Sequence, residues 1–246
     1  PFLKNCIVLS VGGYFSKITK NEQVIPSFIE DPLKKQFGLR KIVDSNYTTK
    51  PVIGFCGQAN PSFVNRFKEV FYTTLRNFKS RIGLSREEPQ QVLSTSYLRA
   101  KVLNRLLHSS IVKTNFIFRK KYRAGAVTKD QRKQTTQEFY DNLKDSQYVV
   151  CVRGAGNFSV RLYETLAMGR IPVFVNTDCN LPLRDQINWK EHVVWVEANE
   201  INLIAEKIID FHSSLSSLDF INLQKENRRL WEEKLTLKGY FKNIQL

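Results

Sequence analysis

The chain has 246 residues, 42% of them hydrophobic and 12% aromatic, with a formal net charge of +15. This composition supports a packed core and excludes a disordered chain, and no apolar run approaches the roughly 20 residues of a membrane span. Such a charge calls for an anionic partner: a phosphate site, an acidic glycan, an anionic membrane or a nucleic acid.

In chain order, residues 5–11 read as a buried strand closed by the turn pair Gly12-Gly13, and residues 22–45 as irregular, with Pro26, Pro32 and Gly38 as breakers. A strand at 51–57 ends in a glycine turn. Helical spacing follows at Phe63, Phe67, Val70, Phe71 and Leu75. Residues 83–96 form a polar loop. A helix at 97–109 carries an apolar stripe of Leu98, Val102, Leu103, Leu106 and Leu107. Next come a strand at 114–118, a basic loop around Gly125 to Gln131, a helix near 135–145 and a strand at 148–152. The rest alternates: helix 159–168, strand 171–175, a loop to Trp189, strand 193–196, helix 200–217 and a last helix at 220–237. Alternating strands and helices predict an α/β fold with a Rossmann-like, doubly wound parallel sheet, its ligands at the carboxyl ends of the strands.

Bases concentrate between residues 99 and 133, where Asp130 is the only acid, and most of them read as a solvated face. Cys6, Cys56, Cys151 and Cys179 are too dispersed for a metal site. The first three lie in apolar stretches and read as small buried hydrophobes.

The segment from Val152 to Glu164 carries the chemistry. It leaves a strand, turns on Gly154 and Gly156, and enters a helix whose N-cap is Ser159 or Asn157. A helix start offers free N–H groups and a positive dipole end to an anion. The glycines let that anion approach the backbone, and Arg153 supplies a bidentate charge. Glu164 lies about 7.5 Å further along the helix, at ~1.5 Å per residue, where a carboxylate suits vicinal ribose hydroxyls. Arg161 and Glu164 also have the spacing of a surface ion pair, and Val160, Tyr163 and Ala167 read as core. The loop imitates a dinucleotide fingerprint as well, with Asp178 after the next strand, although Ser159 stands where a third glycine belongs.

Residues 146–189 closely resemble the sugar-donor segment of exostosin-like glycosyltransferases. The matching elements are Arg153-Gly154, Ser159 with Arg161 and Glu164, Gly169 to Val173, Leu181-Pro182, and Ile187 to Trp189. Thr114 to Ile117 with Arg119 is similar to the family's bacterial members. The resemblance implies a GT-B architecture whose C-terminal lobe grips a nucleoside diphosphate sugar, UDP- or GDP-linked, and transfers the sugar to a carbohydrate acceptor. It implies no metal and no other cofactor, and the sequence contains no Asp-x-Asp. Arg153, Arg161, Arg99 and Arg119, with Gly154, Gly156, Asn157, Phe158, Ser159 and Glu164, are then the donor-binding residues. GT-B fucosyltransferases share the helical Glu followed by Gly-x-x-Pro-Val, but the Arg-Gly-x-x-x-Phe-Ser order favours the exostosin side.

On this reading residues 1–45 are the remnant or end of an N-terminal lobe, and 46–246 the nucleotide-sugar domain. No catalytic base is assigned among Glu22, Glu30, Asp31 and Asp44. An anionic membrane surface is a possible partner, and no nucleic acid is expected, because the bases lack recognition-helix spacing and an aromatic binding motif. The rival readings are a dinucleotide oxidoreductase and a basic nucleic-acid-binding protein. Asn157-Phe158-Ser159 and Asn46-Tyr47-Thr48 are N-glycosylation sequons, and a glycan at the first would block the donor loop. The expected setting is therefore a bacterial cytoplasm, or a Golgi membrane if an anchor preceded Pro1.

Overall fold

The computed structural model describes residues 6–59, 61–85 and 89–244, except the side chains of residues 65, 122 and 123. Asn5, the first residue of the expected N-terminal strand, and residues 86–88 of the polar loop lie outside the described residues.

The N-terminal segment forms β1 (Val8–Val11), β2 (Glu22–Ile25) and α1 (Pro32–Phe37). β1 pairs with β2 alone, in parallel, and Val8, Leu9 and Val11 are exposed. It is therefore not the buried strand expected, and Cys6 is exposed with it. Nor is the stretch after residue 22 irregular. Pro32 sits at the start of α1, where its missing N–H costs nothing. Asp31 caps that helix, and Gly38 at φ +66° ends it. Leu33 packs with Leu143, Val149 and Met168. The Tyr240 hydroxyl donates to Val24 O at 3.0 Å, and Arg228 makes two bonds to the Asp31 carboxylate at 2.7 and 3.0 Å.

The main sheet contains β3 (Val52–Gln58), β4 (Lys113–Arg119), β5 (Tyr148–Cys151), β6 (Ile171–Asn176) and β7 (Val194–Glu197), in spatial order β4-β3-β5-β6-β7. Every pairing is parallel. The helices are α2 (Phe63–Arg81), α3 (Thr95–Leu107), α4 (Lys129–Lys144), α5 (Val160–Ala167), α6 (Trp189–His192), α7 (Ile204–Ser213), α8 (Ser217–Leu230) and α9 (Leu237–Asn243). Alternate strand residues divide between two layers. Ile53, Phe55, Tyr148, Val150, Val173 and Val196 meet α3 and α7 on one face. Cys151 and Phe174 meet α5 and the end of α8 on the other. Both faces are covered, so the sheet is doubly wound and the central strands are unbroken apolar runs, as a parallel sheet requires.

Several boundaries moved for local reasons. α4 begins six residues before the expected helix because Thr128 and Gln131 form a reciprocal capping box; the end of the expected basic loop, from Lys129 on, belongs to its first turn. The expected helix at 200–217 is a 3₁₀ turn, Ala198–Leu203, followed by α7, with α8 capped afresh by Ser216. The last expected helix continues past Leu230 as a π turn, Trp231–Leu235, before α9. α2 forms where expected, but its apolar stripe faces outward. Phe63, Phe67, Phe71 and Leu75 are exposed.

Candidate functional site

β3 sends the chain to β4 on one side, while β5 lies on its other side, so the topological switch falls between β3 and β5. In open α/β sheets ligands bind outside the carboxyl ends of the strands at that switch. A cavity of about 840 Å³ lies there. Its floor is the end of β3 (Cys56, Gly57, Gln58), with Arg119 from β4 and Val152 and Gly154 beyond β5. α5 contributes Val160, Arg161 and Glu164, and α4 contributes Thr135, Thr136, Phe139 and Tyr140.

Three guanidinium groups converge on this cavity. Arg99 reaches from α3 and donates to Gln58 O at 2.7 Å and Arg153 O at 3.2 Å. Arg161 donates to Cys56 O at 2.8 Å and lies 4.4 Å above the Phe55 ring. Arg119 pairs with Glu138 at 2.5 Å and donates to Thr135 O. Burial, and then the positive charge of Arg161, lowers the Arg99 pKa to about 10. Burial also lowers that of Arg161. The Nε groups of Arg99 and Arg161 are buried without a hydrogen-bond partner. Two like charges held together out of water cost free energy that a bound anion would offset.

Glu164 supplies the opposing carboxylate. Burial raises its pKa, while Arg161 and a 3.3 Å bond from the Tyr140 hydroxyl pull the other way. The cysteines offer no nucleophile among these groups. Burial raises the Cys56 thiol and pushes Cys151 up to about 12.

Of the ten residues expected to bind the donor, Arg99, Arg119, Gly154, Phe158, Ser159, Arg161 and Glu164 line the cavity, whereas Arg153, Gly156 and Asn157 do not. Arg153 is 3% exposed. Its guanidinium lies against the Tyr14 ring, bonds the Tyr14 hydroxyl at 3.3 Å and reaches Ala155 O. The Asn157 amide donates to Gly13 O, Thr177 O and Asp178 O at 2.9–3.1 Å. Ser159 occupies the N-cap of α5 but its side chain makes no cap bond. The Gly154 N–H closes a turn onto Phe158 O. Asp178, the acid of the dinucleotide reading, bonds Ser16 through both its carboxylate oxygens. Val160, read as core, is exposed and belongs to the cavity wall. Sequence reasoning missed Phe139 and Tyr140; with Thr135 and Thr136 they recur at the i, i+4 spacing of one face of α4. Nothing local to Tyr14 announces its place over Arg153.

The Exostosin GT47 domain model matches residues 65–210, a span containing every cavity residue except Cys56, Gly57 and Gln58 of β3. The chain belongs to the exostosin GT47 family. Three proteins of rice (Oryza sativa subsp. japonica), each named "Probable glucuronosyltransferase", are 33% identical to it over 63 residues. That stretch is 26% of this chain and spans only 14–15% of the length of those relatives. The parallel sheet with helices on both faces agrees with the Rossmann-like lobe of a GT-B enzyme.

Proposed function

We propose that this exostosin-family domain binds a nucleoside diphosphate sugar and transfers the sugar to a carbohydrate acceptor. The observation that carries this reading is the convergence of Arg99, Arg119 and Arg161 on a cavity at the sheet's switch point, with Glu164 across from them. Arg99 and Arg161 would hold the diphosphate, which develops charge as the glycosyl bond breaks and which preorganised donors stabilise. Glu164 would accept from the ribose hydroxyls, and Phe139, Tyr140 and Phe158 offer apolar surface to the base or sugar. Among the described residues no group of three or more His, Cys, Asp and Glu could hold a metal ion. The neutralising charge is proposed to be that of the guanidinium groups, because Arg99 and Arg161 reach the cavity with buried, unpartnered Nε groups. A uronosyl donor, suggested by the names of the rice relatives, would bring a second anion to the same basic cavity. In this reading residues 1–45 end a first lobe, and 46–246 form the donor lobe.

The test is isothermal binding of UDP, GDP, their nucleosides, NADH and single-stranded DNA. A nucleoside diphosphate should bind at least tenfold more tightly than its nucleoside, and Arg99→Gln should abolish most of that difference. Preference for NADH would revive the oxidoreductase reading, and preference for DNA the nucleic-acid one.

A further inference from the structure

Helix α2 is packed inside out. Among the described side chains of its 19 residues none is buried. The side turned to the body is polar. The Glu69 carboxylate accepts from the Ser94 and Ser96 hydroxyls at 2.7 and 2.5 Å. Asn77 exchanges two hydrogen bonds with the backbone of Gln90 at 2.6 and 2.8 Å. At 100° per residue, Phe63, Val64, Phe67, Phe71, Leu75 and Phe78 fall on one arc of the opposite side. Phe67 is 74% exposed and Phe71 64%. Ile82 and Leu84, just past the helix, extend this surface and are exposed too. An apolar strip of such length is seldom left to water.

Charge identifies what covers it. Lys68 and Lys79 border the strip and Arg81 is exposed at its end, whereas Arg66 is turned to the body, 4.5 Å over the Tyr97 ring. The helix's only acid, Glu69, is turned inward. A second copy of this chain laid on the strip through a two-fold axis would set these three bases against three more. An anionic surface meets them with opposite sign. Phe and Leu on one face, lysine and arginine along its borders and a length near 28 Å (~1.5 Å per residue) are the attributes of a helix that lies in a lipid interface. No helix of the described residues is long and apolar enough to cross a membrane.

We propose that α2 is a membrane-surface helix, and that it holds this domain on a bilayer rich in anionic phospholipid. The proposal goes beyond the donor reading and does not depend on it.

The experiment is cosedimentation of the 246-residue chain with vesicles of pure phosphatidylcholine or of phosphatidylcholine with phosphatidylserine. Binding to the anionic vesicles should exceed binding to the neutral ones by tenfold or more and weaken with salt. Phe67→Glu with Phe71→Glu should reduce it at least tenfold with the thermal midpoint preserved, since both side chains stand in solvent. Lys129→Glu with Lys133→Glu, exposed bases elsewhere, should have little effect. A Phe67→Trp variant should show a blue-shifted emission component absent from the parent when anionic vesicles are added. Trp189 and Trp231 are buried and Trp195 is half-buried against Phe174; all three are present in the parent, so a component the parent lacks reports the helix. No binding, equal loss in the Lys129 and Lys133 variant, or no blue shift would overturn the proposal. So would a dimer in solution that Phe67→Glu dissociates, which would make a second copy the occupant.

Discussion

Glu164 shows why the type of a residue is easier to read than its surroundings. A carboxylate on the helix after the glycine turn was visible in the sequence; Tyr140 as its hydrogen-bond donor was not, because the two are brought together by the packing of α4 against the sheet. Glu164→Gln removes the charge and keeps the shape. A hydrogen bond to a charged group contributes about 1.5–3 kcal/mol, so nucleoside diphosphate affinity should fall roughly tenfold or more, measured by titration calorimetry, with the fold unchanged. An unaltered affinity would leave Glu164 as a partner for Arg161 alone. Arg153 makes the opposite contrast. Its position beside the glycine turn suggested a phosphate ligand, yet its guanidinium lies under Tyr14. Arg153→Ala should therefore lower the thermal midpoint by several degrees, whereas Lys129→Ala, at an exposed position, should change neither stability nor affinity.

His212 carries a pH dependence. Thr48 O can only accept, so Nε2 of the ring, 2.7 Å away, bears the proton, and Nδ1 accepts from the Tyr148 hydroxyl at 2.9 Å. Burial holds its pKa below the ordinary 6.5, against the Thr48 bond, which raises it. Since the unfolded chain then binds more protons, this contribution is complete above about pH 6.5 and is lost as pH falls through the folded value. Thermal midpoints measured from pH 7.5 downward should decline below pH 6.5, and His212→Gln should flatten that decline. A parallel decline in the variant would place the titration elsewhere.

At the scale of elements, the central strands were legible and the periphery was not. β5 and β6 are short, unbroken apolar runs between turn residues, and a strand buried on both faces has no other pattern. β1 has the same apolar look, yet the described structure pairs it only with β2 and leaves it exposed; sequence pattern reports a capacity for burial, not what is available to cover it. The same ambiguity turned α2 around, since periodicity marks an apolar arc without saying which way it faces. β3 holds a more exacting constraint. A Cβ at Gly54 would come within 2.2 Å of the Ser146 oxygen and 2.6 Å of its Cβ. Ser146 cannot move aside, because its hydroxyl donates to Asn142 O and accepts from Asn115. Gly54→Ala should cost about 1–3 kcal/mol, the usual range for overpacking a filled core, read from a urea denaturation midpoint. A neutral outcome would mean that β3 and β5 can separate locally.

Over the whole molecule, the alternation of strands and helices fixed the carboxyl ends of the sheet as the place to look, and the cavity lies there. What the pattern could not supply was the strand order, on which the switch point depends: β3 sits between β4 and β5 only because the crossovers run to opposite sides. The charge of +15 was equally visible, but its division was not. Arg99, Arg119 and Arg161 point inward to the cavity, while Lys101, Arg105, Lys120, Lys121, Arg132 and Lys133 stay in solvent. If guanidinium groups alone neutralise the diphosphate, nucleotide affinity should survive a strong chelator. Added magnesium or manganese should then change it by less than about threefold, under 1 kcal/mol. Strict dependence on a divalent ion would refute that account.

The amide nitrogen of Asn157 is the atom on which an oligosaccharide would be built if its sequon were used. In the folded chain Asn157 is 4% exposed, and that nitrogen is tied to three carbonyls from two separate segments. Modification there is consequently a question of timing: it must precede folding, and a chain so marked loses the knot joining residues 13, 157 and 178. Asn46 lies exposed and stays available after folding. Passage through a secretory lumen would thus sort the chains, leaving native molecules sugared at Asn46 alone and diverting those sugared at Asn157 to quality control.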